Sequence, residues 1–238
     1  MNHSGYLTGF GNEFESEAVA GALPRGRFSP QRAPFGLYAE KFSNTAFTAP
    51  AAVNRRTWFY RIRPSVRHGR FKRASFQPFV NDFANQIADP SQMRWNPIPL
   101  PAKADREVTF VEGISTVGGA GDPGSKSGLS IYLYAFNTNM SDRSSSMYNA
   151  DGEWLIVPQQ GALRLQTEMG FLEVEPNEIV VVPRGVKFLV DAIPSKGAEG
   201  ARGYILEVFE STYESVAGNC DLMQSALCCS HTQVFVLR

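Results

Sequence analysis

The residues that could bind a metal ion are few and far apart in this chain. Its three histidines are His3, His68 and His231. A non-haem iron site needs two histidines and a carboxylate on one face of the fold, and no two of these histidines share a predicted element. We therefore predict no catalytic, cofactor-binding or metal-binding residue, and interpret each histidine as a solvated or hydrogen-bonded side chain.

The three cysteines, Cys220, Cys228 and Cys229, all lie close to the C-terminal end. An odd, clustered set with an adjacent pair is a poor disulfide framework. A zinc site on Cys228, Cys229 and His231 is also disfavoured, because the nearby donors do not repeat at the spacing of a tetrahedral site. A tail of unrelated composition explains these residues better.

A glycine-rich run, GGAGD at residues 118–122, resembles a phosphate-binding loop. No helix pattern follows it, and the lysine of a Walker motif is missing. We predict that the run is a loop between two strands.

A local basic run extends from residue 54 to residue 73. It consists of Asn54-Arg55-Arg56, Arg61, Arg63, Arg67, Arg70, Lys72 and Arg73. A nucleic-acid-binding surface is disfavoured because the formal net charge of the whole chain is zero. A solvated or subunit-facing surface is the favoured interpretation.

The elements that must position any site are strands. Residues 57–64 read as a strand rich in aromatic residues, and a series of short apolar, β-branched runs begins at residue 107. The later predicted strands are 108–111, 129–136, 154–158, 162–167, 171–174, 178–182, 187–190 and 204–209. Glycine, Pro-Asn and Pro-Arg-Gly turns separate most of them, which indicates a mainly β, antiparallel sandwich or jelly roll.

Three regions follow from this pattern. Residues 1–106 form a loop-rich N-terminal segment with short strands, packed on the sandwich. Residues 107–210 form the β domain, and residues 211–238 form an aberrant, poorly ordered tail without strand alternation and with only a weak helical window at 221–227. Removing this tail is expected to cost little stability.

Two segments of the β domain resemble the two motifs of a cupin. Glu153-Trp154-Leu155-Ile156-Val157 with Gly161 is similar to the first motif, and residues 183–188, PRGVKF, are similar to the Pro-x-Gly-x-x-His of the second. In a metal-binding cupin the last position is histidine, whereas here it is Phe188. The first motif should supply two histidines ahead of Glu153, where this chain has Tyr148, Asn149 and Asp151. The resemblance implies a cupin-like barrel without its metal ligands, with Phe188 packed inside.

A more specific resemblance runs through most of the chain. The phrases that carry it are GFGNE at residue 9, GLYAE at 36, AFTAP at 46, WFYRIRPSV at 58, GAGD at 119, YNADGE at 148 and GYILEV at 203. The residues in these phrases and the order of the phrases, over roughly residues 5–210, resemble the sequences of homogentisate 1,2-dioxygenases. The resemblance ends near Ser211.

The resemblance implies a cytoplasmic enzyme of tyrosine and phenylalanine catabolism that uses Fe(II) and O₂ to open homogentisate to maleylacetoacetate. The iron ligands and catalytic histidine of that family lie in its C-terminal half, so no site residue transfers to this chain. The chain then corresponds to the N-terminal half, a truncated form that needs the missing C-terminal catalytic domain as partner and belongs to a trimer-based hexamer. The tail would come from a retained intron, a shifted frame or a faulty gene model.

Two alternatives stay open beside this inactive dioxygenase fragment. One is a non-catalytic assembly module that joins full-length subunits. The other is a metal-free cupin that binds a small molecule. Neither nucleic acid nor a membrane is expected as a partner, because the charge is balanced and no apolar stretch approaches the ~20 residues that span a bilayer.

Overall fold

The computed structural model describes residues 7–9, 12–15, 17, 19–23, 33–43, 46, 48–50, 56–74, 76, 78–84, 87, 89–92, 94, 96–193, 200–209 and 235–237. The chain divides into two units. Unit 1 comprises residues 1–74, 168–170 and 214–233, and unit 2 comprises residues 75–167, 171–213 and 234–238. Within the described ranges the elements are strands and two short 3-10 turns, and no helix there could cross a membrane.

Unit 1 contains two antiparallel pairs of strands. In the first pair, β1 (Leu7–Gly9) lies beside β2 (Asn12–Glu15), and in the second, β3 (Tyr38–Ser43) lies beside β4 (Arg56–Arg61). Strand β4 confirms the strand predicted from residue 57, whereas β3 was not predicted. Phe59 is buried and its ring contacts that of Phe42 at a centroid distance of 5.6 Å, so β4 turns one aromatic side chain inward.

Unit 2 is built on a six-stranded antiparallel sheet in the order β13-β10-β7-β12-β6-β5. Its strands are β5 (Ile114–Asp122), β6 (Ser127–Phe136), β7 (Glu153–Gln160), β10 (Ile179–Val182), β12 (Ala201–Val208) and β13 (Phe235–Leu237). A second, three-stranded sheet has the order β11-β8-β9, from β8 (Ala162–Thr167), β9 (Gly170–Val174) and β11 (Phe188–Ile193). The predicted mainly β, antiparallel sandwich is confirmed.

The core of unit 2 lies between the inner faces of these two sheets. Alternate residues of β6 point inward, so that Tyr132, Tyr134 and Phe136 are all fully buried. From the other sheet, Leu165 and Phe188 are buried too. Burying an aromatic or branched aliphatic side chain stabilises a fold by about 1.5–3 kcal/mol, so this period-2 alternation fixes which face of each strand becomes core.

The strand predicted at residues 108–111 is wrong. Phe110 is buried as its apolar character requires, but the backbone turns here, and the Gly113 N–H donates to the Thr109 carbonyl at 2.9 Å. The Thr109 N–H and hydroxyl both donate to one oxygen of Glu112, at 2.9 and 2.8 Å. These side-chain hydrogen bonds satisfy the backbone locally and favour a turn over a strand.

The loop predicted at residues 118–122 is also wrong, because these residues belong to β5 and pair with β6 from Gly118↔Ile131 to Asp122↔Ser127. A register shift precedes Gly118. At Gly119 a Cβ atom would lie 2.6 Å from an atom of the Phe83 ring and 2.7 Å from the Leu129 carbonyl oxygen. The glycine is needed for this close approach and not for a phosphate.

The tail contributes a strand that the sequence did not predict. β13 pairs antiparallel with β10, in the register Ile179↔Leu237, Val180↔Val236 and Val181↔Phe235. The short apolar strand β13 therefore lies at the edge of the six-stranded sheet. The weak helical window at 221–227 and all three cysteines lie outside the described residues.

Candidate functional site

The two segments that resemble cupin motifs meet at one end of the sandwich. Met147 and Phe188 exchange both backbone hydrogen bonds at 2.8 Å, and the Gly185 N–H donates to the Asn149 carbonyl at 2.7 Å. Gly185 adopts a φ of 80°, which glycine reaches without strain, and so forms the tight turn expected after Pro183. The segments at 147–149 and 183–188 are thereby held side by side.

Phe188 points into the core, as the sequence predicts. It is 1% exposed, and its ring meets that of Trp154 edge-on at a centroid distance of 6.1 Å. Trp154 in turn contacts Phe79, Phe110 and Tyr132 at centroid distances of 6.1, 6.4 and 6.1 Å. Aromatic rings therefore occupy the space beside the position where a metal-binding cupin places histidine.

Tyr132, Asn149 and Glu207 form a polar cluster in this interior, which we call the inner cluster. The Tyr132 hydroxyl donates to Oε2 of Glu207 at 2.5 Å, and the Asn149 side-chain amide donates to Oε1. Both the Glu207 and Tyr132 residues are almost completely buried. Tyr132 of β6 thus binds one oxygen of the Glu207 carboxylate, and Asn149, which lies just ahead of the first cupin-like motif, binds the other.

Asn149 connects the carboxylate to its own loop. Its side-chain amide also donates to the Gly152 carbonyl at 3.0 Å, while its side-chain oxygen accepts from the Asp151 N–H at 3.1 Å. Asp151 accepts a further hydrogen bond from the Asn81 side-chain amide at 2.8 Å. The inner cluster therefore fixes the loop at 149–152 against β12, and its geometry is that of a structural clamp.

The electrostatics of the cluster agree with this role. Burial raises the pKa of Glu207 above its ordinary value, and the hydrogen bonds from Tyr132 and Asn149 offset that effect in part. Burial, followed by the adjacent Glu207 charge, raises the pKa of Tyr132, so its hydroxyl stays a donor. The raised pKa values and the direct hydrogen bond between the two groups are consistent with a buried, mutually stabilising pair.

The donor set does not fit Fe(II). Iron of the non-haem type is held by two histidines and a carboxylate, whereas the inner cluster supplies one carboxylate, an amide and a phenol that stays protonated. No group of three or more His, Cys, Asp or Glu side chains suited to a metal occurs in the described ranges.

Of the three histidines, His68 lies within the described part of the chain. His68 belongs to unit 1, where it is exposed, lies 2.7 Å from the Gly69 carbonyl through Nδ1 and stacks against the Phe71 ring at 4.4 Å. His3 and His231 lie outside the described residues, as do Asn54 and Arg55 of the basic run. The fold brings Met147 beside Phe188, and Asn149 beside Gly185.

Sequence reasoning missed the roles of Tyr132 and Glu207. A signal for Glu207 was present, because it alternates in phase with the apolar Ile205 and Phe209 and so falls on the buried face of its strand. A carboxylate there demands a hydrogen-bonding partner. Which residue supplies that partner depends on strand pairing, which a single sequence does not reveal.

Comparison with known proteins gives one family match. Residues 5–217 match the family model described as homogentisate 1,2-dioxygenase N-terminal. The match covers most of the chain, including both motif segments and the inner cluster.

Among solved structures, two proteins described as having a cupin domain and the EutQ protein are similar to this chain. A cupin-2 domain protein of Shewanella frigidimarina has 15% identity, covering 40% of this chain and 78% of its own, with a TM-score of 0.31. A cupin domain of Bordetella pertussis has 13% identity, covering 44% and 97%, with a TM-score of 0.31. The EutQ protein of Clostridium difficile has 13% identity, covering 47% and 80%, with a TM-score of 0.29.

Proposed function

The chain belongs to the homogentisate 1,2-dioxygenase N-terminal family, and we propose that it is the non-catalytic domain of such an enzyme. In this proposal a separate C-terminal domain holds Fe(II) and opens the ring of homogentisate, in the cytoplasmic breakdown of tyrosine and phenylalanine. The chain itself neither binds iron nor catalyses ring cleavage. The absence of iron binding is supported by the interior of unit 2. There Phe188 packs against Trp154, at the motif position where a metal-binding cupin has histidine.

The inner cluster supports a structural role for this interior. Both oxygens of Glu207 already accept hydrogen bonds from side chains of the same domain. To bind iron, the carboxylate would have to exchange these partners for a metal and would still lack imidazole ligands.

The outer face of the six-stranded sheet supports docking onto another polypeptide. Neighbouring side chains on that face are apolar, since Ile131 lies opposite Leu206, and Leu206 lies opposite Leu155. Among the exposed large hydrophobic residues are Leu129 (39%), Ile131 (42%) and Tyr204 (45%), all on this face. Adjacent exposed apolar residues on a sheet suit a protein interface, and the catalytic domain is the partner we assign to it.

The same face is compatible with an assembly module that joins full-length subunits, which is the second candidate function. A small-molecule site inside the barrel is less well supported, because the interior between the sheets is filled by aromatic side chains. The non-catalytic domain and the assembly module share one premise, which is that this chain acts through contacts with other polypeptides and catalyses no reaction.

The proposal is tested by measuring iron retention. The chain is loaded with Fe(II) under anaerobic conditions and desalted, and iron per chain is measured beside a Glu207→Gln variant. We expect iron far below one atom per chain, and the same trace in both proteins. Iron near one atom per chain that the Glu207→Gln variant loses would overturn the assignment of a non-catalytic, metal-free domain.

A further inference from the structure

The two edges of the six-stranded sheet are covered in different ways. At the β5 edge, the Thr116 N–H donates to the Pro78 carbonyl at 3.2 Å, and the Val80 N–H donates to the Thr116 hydroxyl at 2.9 Å. These residues all lie within the part of the chain that matches the family model. At the β10 edge the neighbouring strand is β13, whose residues 235–237 lie beyond that match, which ends at residue 217. The β10 edge thus belongs to the matched domain, whereas the strand that covers it does not.

Strand β10 has the composition of an interior strand. Its sequence, Ile-Val-Val-Val, contains only β-branched apolar residues, and Val180, Val181 and Val182 are all buried. An edge strand that stays unpaired is usually protected by a charged residue, a proline or a bulge. None of these interrupts Ile179–Val182, and the pairing of β10 with β7 is in continuous register. A strand that is apolar on both faces is typical of one with a neighbour on each side. The edge of β10 that faces away from β7 therefore favours the addition of a further strand.

Strand β13 supplies this neighbour through its backbone. It runs antiparallel to β10, from the pair Ile179↔Leu237 to the pair Val181↔Phe235. Only three residues take part, so the ladder offers few hydrogen bonds, while ordering each residue costs backbone entropy. A longer strand on the same edge would form more of these bonds. The strand that covers β10 in this chain is thus open to competition.

We propose that the β10 edge is a peptide-binding site, which takes up an extended apolar segment of another polypeptide as an antiparallel strand. Residues 235–237 occupy this site as a displaceable internal strand. Binding by strand addition draws its affinity from main-chain hydrogen bonds and its specificity from side chains at alternate positions. The site lies in unit 2 and goes beyond the non-catalytic role proposed above, since it does not depend on whether the chain binds iron.

The surroundings of β10 define the chemistry of the ligand. Val180 and Val181 point to opposite faces of the sheet, because successive side chains of a strand alternate, and both are buried. A strand added beside them is expected to carry apolar residues on both of its faces. Residues 234–237, Val-Phe-Val-Leu, meet this requirement in sequence. The ligand class is therefore a segment of about four consecutive apolar residues, rich in β-branched or aromatic side chains.

The probe is a fluorescein-labelled peptide with the sequence of residues 233–238, QVFVLR. Its binding is measured by fluorescence anisotropy to the wild-type chain and to a full-length variant with Phe235→Pro and Val236→Pro. Consecutive residues of a strand direct their N–H groups to opposite sides, so one of the two prolines removes a hydrogen bond to β10. The matched control carries Ser225→Pro and Ala226→Pro, which place the same two prolines outside β13.

We expect the double-proline variant at 235 and 236 to bind the peptide at least about tenfold more tightly than the wild type, because the internal strand no longer competes. The control should bind as the wild type does, and the peptide QVPPLR should bind to none of the proteins. Hydrogen exchange then locates the site, since bound peptide should protect the amides of residues 179–182. Equal affinity of the double-proline variant and the wild type, or protection at another strand, would overturn the proposal.

A measurement on the wild type covers the case in which the double-proline variant does not fold. Without peptide, the β10 amides that face β13 should exchange at least about tenfold faster than those between β6 and β12, through local loss of β13. An excess of QVFVLR should slow that exchange. Exchange as slow as between β6 and β12, or exchange that the peptide leaves unchanged, would contradict a displaceable strand. Pairing of two chains through residues 235–237 without uptake of the peptide would identify a second copy as the occupant and would also overturn the proposal.

Discussion

The hydroxyl of Tyr132 donates to Glu207 at 2.5 Å, although the two residues are 75 positions apart in the sequence. Tyr132 lies on β6 and Glu207 on β12, which are adjacent strands of the six-stranded sheet. Their hydrogen bond, with that of Asn149, closes a polar clamp on the buried face of the six-stranded sheet. The stability of the domain should therefore depend on this clamp.

Replacing Tyr132 by Phe should destabilise the protein by about 1–3 kcal/mol, because it removes a donor from a buried carboxylate while preserving the ring. The measurement is the free energy of unfolding in urea. Tyr148→Phe is the matched control, since Tyr148 is 50% exposed and its hydroxyl can be replaced by water. Equal losses in the two variants would contradict the clamp.

The clamp also predicts that the free energy of unfolding depends on pH. Burial raises the pKa of Glu207 above its ordinary value of 4.5. The folded state therefore binds this proton more tightly than the unfolded chain. The resulting stabilisation is complete below about pH 4.5 and is lost as the pH rises through the folded-state pKa.

Glu207→Gln should flatten this dependence, because glutamine does not titrate. From pH 4.5 upward, the wild type should lose unfolding free energy relative to Glu207→Gln. Glu175→Gln, an exposed substitution, should leave the slope of the wild type unchanged. A wild type that gains stability relative to Glu207→Gln over this range would show that the folded-state pKa is lowered instead.

Restoring the histidine of the second cupin motif should not restore a metal site. Phe188→His places a polar ring against Trp154 in a buried position, so it should cost about 2 kcal/mol or more. Phe188→Leu keeps the position apolar and should cost less. Stoichiometric iron retained by Phe188→His would show that the neighbouring residues do form a ligand set.

Gly203 lies where β12 passes close to its neighbours. A Cβ atom there would come within 2.6 Å of the Tyr134 hydroxyl and would also clash with the Val157 carbonyl. Gly203→Ala should therefore destabilise the fold by about 1–3 kcal/mol through overpacking. Gly118→Ala is the control, because a Cβ at that position meets nothing within 4 Å. Similar melting temperatures for the two variants would refute the close approach.

Much of this fold could be predicted from the sequence, since a strand with one buried face must alternate apolar and polar residues. Strands β6, β8 and β12 follow that rule. Residues 108–111 depart from this rule. Thr109 and Glu112 form a local hydrogen-bonded turn there, although Phe110 is buried as a strand residue would be. Residues 118–122 depart from this rule because they are rich in glycine, which suggests a loop, although Gly119 is required by the nearby Phe83 ring.

The inner cluster could not be predicted in the same way. The position of Glu207 in the alternation of its strand indicates that it is buried. Its hydrogen-bond partners, however, come from β6 and from the loop at 149–152. Their contact depends on the order in which strands pair, a long-range property that local pattern does not encode. The absence of a histidine at position 188, in contrast, is visible in the sequence and leads directly to the proposed function.

Oxygen uptake tests the central claim most directly. The purified chain, supplied with equimolar Fe(II) and saturating homogentisate, is placed in an oxygen electrode beside the same mixture without protein. We predict equal uptake in the two, with no maleylacetoacetate formed. Uptake that rises in proportion to protein concentration and yields the ring-opened product would contradict the account, because this chain would then hold iron and cleave the ring by itself.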